Sequence, residues 1–196
     1  IILDQKCEGI EAYKVNRGDV LDKNLLNAFC SDIDEIYHLA ALLGTSELID
    51  MPYEGIEVNI RGTLNVLEAA RINRVARFFY PGMPRAWLNM YSITKASAED
   101  VCRLYQRYYG INTRILRWLN AYGPGQHIYP IRKVVPIFII QALYGLPIEI
   151  WGDGEQNIDL LYVEDIAKWT VDFMREDHVP DSTVEIGAYH TCTVNE

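Results

Sequence analysis

Tyr91 and Lys95 stand four residues apart in the run Tyr91-Ser92-Ile93-Thr94-Lys95, a spacing that places a phenol and an ammonium on one helical face. An ammonium held beside a phenol favours the phenolate, lowering a pKa that is ordinarily about 10. A tyrosine tuned in this way can take the proton of an alcohol near neutral pH. The chemistry is oxidation of an alcohol to a ketone, and it calls for a hydride acceptor close by. The same pair of residue types recurs at Tyr129 and Lys133. There Pro130 pushes Tyr129 toward an extended backbone, so the second pair is not expected to share a face. After Tyr91, by contrast, Lys95, Ala96, Ala98, Glu99, Val101, Leu104 and Tyr105 form a helix-favouring run with an apolar stripe. Spacing alone is also met by an ordinary surface lysine beside a half-buried tyrosine.

The elements that must hold this pair follow from the apolar pattern. Residues 1–3, 12–15, 36–39, 78–80 and 113–119 read as buried strands, and 21–29, 54–70 and 91–109 as helices. Within 54–70, Ile56, Ile60, Leu64 and Leu67 recur at helical steps. Strand alternating with helix predicts an α/β fold: a doubly wound, Rossmann-like parallel sheet with helices on both faces. Beyond Asn120 the texture changes. Pro and Gly cluster in Tyr122-Gly123-Pro124-Gly125-Gln126, a turn falls at Gly152-Asp153-Gly154, and helices are expected over 134–144 and 164–175. Strands are expected at 148–151 and 184–186, with a further segment at 159–163. Residues 1–120 therefore read as a dinucleotide-binding domain. Residues 121–196 read as a smaller substrate lobe that lends some elements back to the sheet.

Both ends read as cut. If Asp4 closes the second strand of such a fold, a glycine-rich turn belongs about 20 residues upstream. The expectation is a chain without its first βα unit and without its C-terminus.

Composition narrows the function classes. A chain of 196 residues, 49% hydrophobic and 23% charged, can bury one core, or one core and a small lobe. A net charge of -9 argues against non-specific nucleic-acid or anionic-membrane binding. The most apolar stretch, 134–146, is short for a membrane span and is broken by Pro136, Gln141 and Gly145. No signal peptide opens the sequence. Cys7, Cys30, Cys102 and Cys192 form no Cys-x-x-Cys and read as free thiols of a reducing, cytoplasmic compartment. His38, His127, His178 and His190 have no metal-ligand spacing, so no metal is expected.

Seven blocks carry a family resemblance. They are Gly18-Asp19-Val20, His38-Leu39-Ala40-Ala41, the run from Asn59 to Asn65, Tyr91-x-x-x-Lys95, the run from Leu116 to Gln126, Gly152-Asp153-Gly154-Glu155-Gln156, and the run from Tyr162 to Ala167. In this order the chain resembles the extended short-chain dehydrogenases/reductases, specifically the NAD-dependent nucleotide-sugar epimerases and dehydratases. The resemblance implies that Asp4 accepts hydrogen bonds from the adenosine ribose, its carboxylate favouring NAD over NADP. Asp19, with Val20, would meet the adenine amino group; the alternative for Asp19 is a turn-forming Gly-Asp. Leu39, Ala40 and Ala41 would let backbone approach the cofactor. Asn59 would lie near it, the alternative being a helix-interior amide bonded to backbone. Tyr91 would be the general acid/base. Lys95 would hold the nicotinamide ribose and lower the Tyr91 pKa. Asn120 would bind the diphosphate region of a nucleotide sugar.

Two departures from the family pattern stand out. The Ser or Thr usual at the end of the strand before the tyrosine is absent between Arg77 and Met90, and the interval to Tyr91 is short. Ile158 occupies a position where an arginine often binds substrate phosphate, which leaves Arg132 or Lys133 to supply the charge. The expected function is a nucleotide-sugar epimerase working through a transient 4-keto sugar. No Asp-Glu pair of the dehydratase kind lies between Tyr80 and Tyr91. The alternatives are a dehydratase, a small-alcohol dehydrogenase, or a non-catalytic nucleotide-binding scaffold. Apolar edges at Val101, Leu104, Tyr105 and Tyr108 and on the 54–70 helix suggest a homodimer paired across a two-fold axis.

Overall fold

Short apolar runs become parallel strands, and amphipathic runs supply the crossovers that parallel pairing demands. The computed structural model describes residues 2–5, 15–84, 88–177, 179, 183–188 and 190–196. Strand β1 (Ile2–Asp4) pairs in parallel with β2 (Val15–Arg17). A four-stranded parallel sheet runs β3 (Glu35–Tyr37), β4 (Arg77–Gly82), β5 (Thr113–Trp118), β9 (Thr183–Ile186). Most of the strand expected at 12–15, and the first residue of that at 1–3, lie outside the described residues.

Helix α1 (Lys23–Phe29) starts where Asp22 accepts a hydrogen bond from the Leu25 N–H (3.0 Å). Helix α4 (Met90–Tyr109) is capped by Asn89, which accepts from the Ser92 N–H (2.9 Å), and stops at Gly110 in the left-handed region. The expected single helix over 54–70 is divided. It runs as α2 (Pro52–Ile56), a π-helical turn (Glu57–Gly62) and α3 (Thr63–Ile72). The widened turn sits where Asn59 directs its amide to groups outside the helix, as described below. Insertions of this kind recur at functional sites.

Alternation along the strands divides the core. Phe78, Tyr80 and Ile115 pack with Val66, Leu67, Ala98 and Cys102 beneath α3 and α4. Phe79 and Leu116 face the other way, against Met174 of α6 (Val163–Arg175). Helices thus cover both faces of the parallel sheet, which is the doubly wound arrangement.

Past Trp118 the pieces are shorter. Strands β6 (Ala121–Tyr122) and β8 (Leu161–Tyr162) pair in parallel. Strands β7 (Asn157–Ile158) and β10 (Cys192–Thr193) pair antiparallel. Helix α5 is Val134–Leu143. The strand expected at 148–151 does not form: that segment pairs with no strand among the described residues, and its Glu149 and Trp151 line a cavity with α5. Among the described residues no helix is long and apolar enough to cross a membrane, and no three His, Cys, Asp or Glu side chains cluster as metal ligands. Cys30, Cys102 and Cys192 are free thiols; Cys7 and His178 lie outside the described residues.

Candidate active site

Paired parallel strands end together, so the residues that follow β1 and β2 share one sheet edge and those that follow β3 and β4 share another. Asp4 closes β1, and its backbone carbonyl accepts from the Gly18 N–H (2.9 Å). Asp19 follows β2. One of its oxygens accepts from the Leu21 N–H (2.9 Å) and the other from Gln5 Nε2 (2.8 Å), so its carboxylate shapes its own turn as the second sequence reading held. Val20 is fixed from behind, its carbonyl accepting from Asn65 Nδ2 (3.0 Å). Leu39, Ala40 and Ala41 follow β3, with Leu39 well exposed.

Asn59 ties this edge to α4. Its Oδ1 accepts from the Leu42 N–H (2.7 Å), while Nδ2 donates to the Leu42 carbonyl (3.0 Å) and to Thr94 Oγ1 (3.0 Å). Thr94 in turn donates to the Tyr91 carbonyl (3.0 Å). The buried amide of Asn59 is therefore fully engaged by protein, as in its backbone-bonding reading.

Tyr91 and Lys95 occupy successive turns of α4. Burial pushes the Tyr91 phenol up to about 12 and the Lys95 ammonium down to about 7, with Cys102 and Glu99 pulling Lys95 back upward. This corrects the expectation that Lys95 lowers the Tyr91 pKa in the chain as it stands. The lysine nitrogen lies 3.9 Å from the centre of the Tyr80 ring, a cation–π contact. Removal from water penalises both charged forms more than their neighbours favour them. The decoy pair Tyr129 and Lys133 lies in irregular chain before α5, off any shared helical face.

Asn120 lies between β5 and β6. Its Nδ2 donates to the Asp159 carbonyl (3.3 Å), and its side chain lines a cavity of about 310 Å³ with Phe138 of α5, Trp151 and Ile158.

A sequence profile of the NAD dependent epimerase/dehydratase family matches residues 3–187. The chain belongs to the NAD-dependent epimerase/dehydratase family. It is 29% identical over 187 residues to dTDP-glucose 4,6-dehydratase of Streptomyces antibioticus, covering 87% of this chain and 55% of that one. The Neisseria meningitidis enzyme of the same name is 31% identical over 207 residues, with 91% and 57% covered. Among solved structures, UDP-glucose 4-epimerase of Thermotoga maritima with UDP-glucose aligns at TM-score 0.90 and 26% identity, over 99% of this chain and 71% of that one. UDP-glucuronic acid 4-epimerase of Bacillus cereus, with UDP-glucuronic acid and NAD, aligns at 0.85 and 26%, over 96% and 64%. The chain spans little more than half the length of the two curated relatives named here.

NAD is the cofactor of this epimerase/dehydratase family, and the residues present fit it. Asp4 ends β1, Asp19 lies just past β2, small-residue backbone follows β3, and buried Lys95 lies on α4; dinucleotides bind at the carboxyl ends of such parallel strands. Several participants were invisible to sequence reasoning. Thr94 carries no family signature, and Tyr80 read only as a core strand residue. His38 is buried, and its Nε2 lies 2.9 Å from Thr63 Oγ1, whose hydroxyl donates to the Asn59 carbonyl (2.7 Å). The His38 Nε2 therefore carries the proton. Burial and the nearby Lys95 charge push its pKa down to about 3.

Gly82, the last residue of β4, leaves no room for a side chain unless its neighbours move. A Cβ on Gly82 would come within 2.7 Å of Arg117 Cγ and 2.8 Å of Glu99 Oε2. That space belongs to an ion cluster, in which buried Glu99 accepts from Arg117 Nη2 (2.5 Å) and Arg117 Nε (3.1 Å) and pairs with Arg103 (2.7 Å).

Proposed function

We propose that the chain carries the site of a nucleotide-sugar 4-epimerase that uses NAD as a bound, recycled oxidant. What supports this reading most is the pairing of Tyr91 and Lys95 on successive turns of α4, tied through Thr94 and Asn59 to the loop after β3, together with a cavity at Asn120 large enough for part of a nucleotide. Residues 1–120 would serve the cofactor and residues 121–196 the nucleotide sugar. NAD, when bound, supplies a hydride acceptor. Tyr91 takes the proton of the C4 hydroxyl and later returns it. Lys95 would hold the nicotinamide ribose, its charge favouring the ionised phenol there. Asp4 accepts from the adenosine ribose. Asp19 with Val20 borders the adenine, and the backbone of Leu39, Ala40 and Ala41 borders the dinucleotide. Asn59 acts through Leu42 and Thr94. Asn120 meets the diphosphate.

The relatives include both dehydratases and 4-epimerases. The reading as an epimerase is supported by the lack of an Asp-Glu pair between Tyr80 and Tyr91. The free thiols Cys30, Cys102 and Cys192 suit a cytoplasmic enzyme.

The test is product analysis by NMR after incubating the protein with NAD and each of several UDP- and dTDP-hexoses. A 4-epimer without net NADH is expected. A 4-keto-6-deoxy product would make the protein a dehydratase, and accumulating NADH a dehydrogenase. Binding without turnover of any sugar would favour the scaffold reading, to which the missing Ser or Thr lends its only support. In the same material NAD should bind more tightly than NADP, and Asp4→Ala should narrow the gap.

We further propose a homodimer through α3 and α4. Val101 and Tyr105 pack inward, but Leu104, Tyr108 and Tyr109 of α4 and Leu64 and Ile72 of α3 remain exposed. Two copies related by a two-fold axis would cover these residues in a four-helix contact.

A further inference from the structure

The cavity beside α5 is lined mainly by hydrocarbon, and its lining holds a single cation, Arg132. The Arg132 guanidinium carbon lies 5.7 Å from the centre of the Trp151 ring. That contact steadies the planar group while leaving its N–H edge for another partner. Among the described residues Arg132 makes no hydrogen bond and no ion pair, although Glu149 lines the same cavity. Helix α5 opens next to it. Lys133 supplies no side-chain cap, and Val134, the first helical residue, also lines the cavity. The first-turn N–H groups therefore add positive potential beside the guanidinium. Gln141 adds a buried Oε1 with no partner, an acceptor suited to an N–H such as that of a pyrimidine imide. On the opposite wall β7 presents Ile158, which offers nothing to an anion.

We propose that Arg132 binds the diphosphate of a nucleoside diphosphate, so that the charge for the substrate's phosphates comes from the loop before α5 and not from β7. The assignment rests on the nucleotide-sugar reading above and names the residue that positions the substrate in it. A planar guanidinium can grip a phosphate through two parallel N–H bonds.

The probes are UDP, dTDP and uridine, titrated against the purified protein by calorimetry. Both diphosphates should bind more tightly than uridine, and the advantage should shrink as salt rises. Arg132→Ala should weaken UDP by about 10–100-fold, the range for a lost charged hydrogen bond, and leave uridine unchanged. Arg132→Lys should recover part of the loss, and Lys133→Ala should cost little. Equal UDP affinity in parent and Arg132→Ala would overturn the assignment while leaving the nucleotide-sugar reading standing. A parallel loss of uridine would show that Arg132 only shapes the wall, which also overturns it. If the parent binds none of the three, the nucleotide-sugar reading falls together with the assignment.

Discussion

Tyr91→Phe keeps the ring and its packing but removes the oxygen that moves the proton. Turnover should fall by about 10²–10⁴-fold, the usual contribution of a general acid/base, with little change in thermal stability or substrate affinity. Tyr129→Phe, which alters the decoy pair, should leave turnover nearly unchanged. A Tyr91→Phe enzyme with more than about a tenth of parental turnover would remove Tyr91 from the mechanism. Lys95 allows a separate test through pH. Its pKa falls from the ordinary 10.5 to about 7 on burial, so the unfolded chain holds a proton that the folded chain lacks between those values. The protonated form opposes folding fully below about pH 7, and stability should rise as pH climbs from there toward 10.5. Lys95→Met should flatten that rise, raise Tm at pH 7 by a few degrees and abolish turnover. For a chain of this length about 1 kcal/mol moves Tm by roughly 2–4 °C. The pair was legible in the sequence because four-residue spacing is a local property. Where the lysine charge rests was not, since Tyr80 reaches it only after β4 and α4 pack together.

The π-helical turn between α2 and α3 carries the least local information of any element near the site. Periodicity over 54–70 pointed to one helix, and apolar steps alone cannot register a single widened turn. What marks the turn is Asn59, whose partners Leu42 and Thr94 lie 17 and 35 residues away in sequence. Asn59→Ala should leave the Leu42 N–H and carbonyl without their partner. The expected cost in stability is about 1–3 kcal/mol, read from the denaturant midpoint. NAD affinity should drop as well, because the loop after β3 loses its tie to α4. Undiminished NAD affinity at reduced stability would make Asn59 a packing residue with no bearing on the site. Strands β3 to β5 and helices α4 and α6 were readable within a residue or two, because apolar residues dominate the strands and a stripe marks each helix. The segment 148–151 misled because Ile148, Ile150 and Trp151 have strand-like composition but remain exposed, with only Glu149 and Trp151 of the segment lining the cavity.

At the scale of the whole molecule, the apolar side chains left exposed on α3 and α4 provide the assembly test. Leu104→Glu together with Tyr108→Glu should convert a dimer to a monomer in light scattering at micromolar concentration without unfolding it, since both side chains are exposed in the single chain. A parent that is already monomeric would remove the proposed pairing. The order of strands has a consequence of a different kind. Strand β9 pairs with β5 through Ile115↔Thr183 to Trp118↔Ile186, and β9 is made late. On a ribosome adding about 5–20 residues per second, the roughly 65 residues between β5 and β9 take on the order of 3–13 seconds to emerge. Throughout that interval the outer edge of β5 is an unpaired strand, and for most of it Phe79 and Leu116 lack the Met174 of α6 that later covers them. A nascent chain stalled anywhere short of β9 should therefore be a preferred client for chaperones that bind open strand edges.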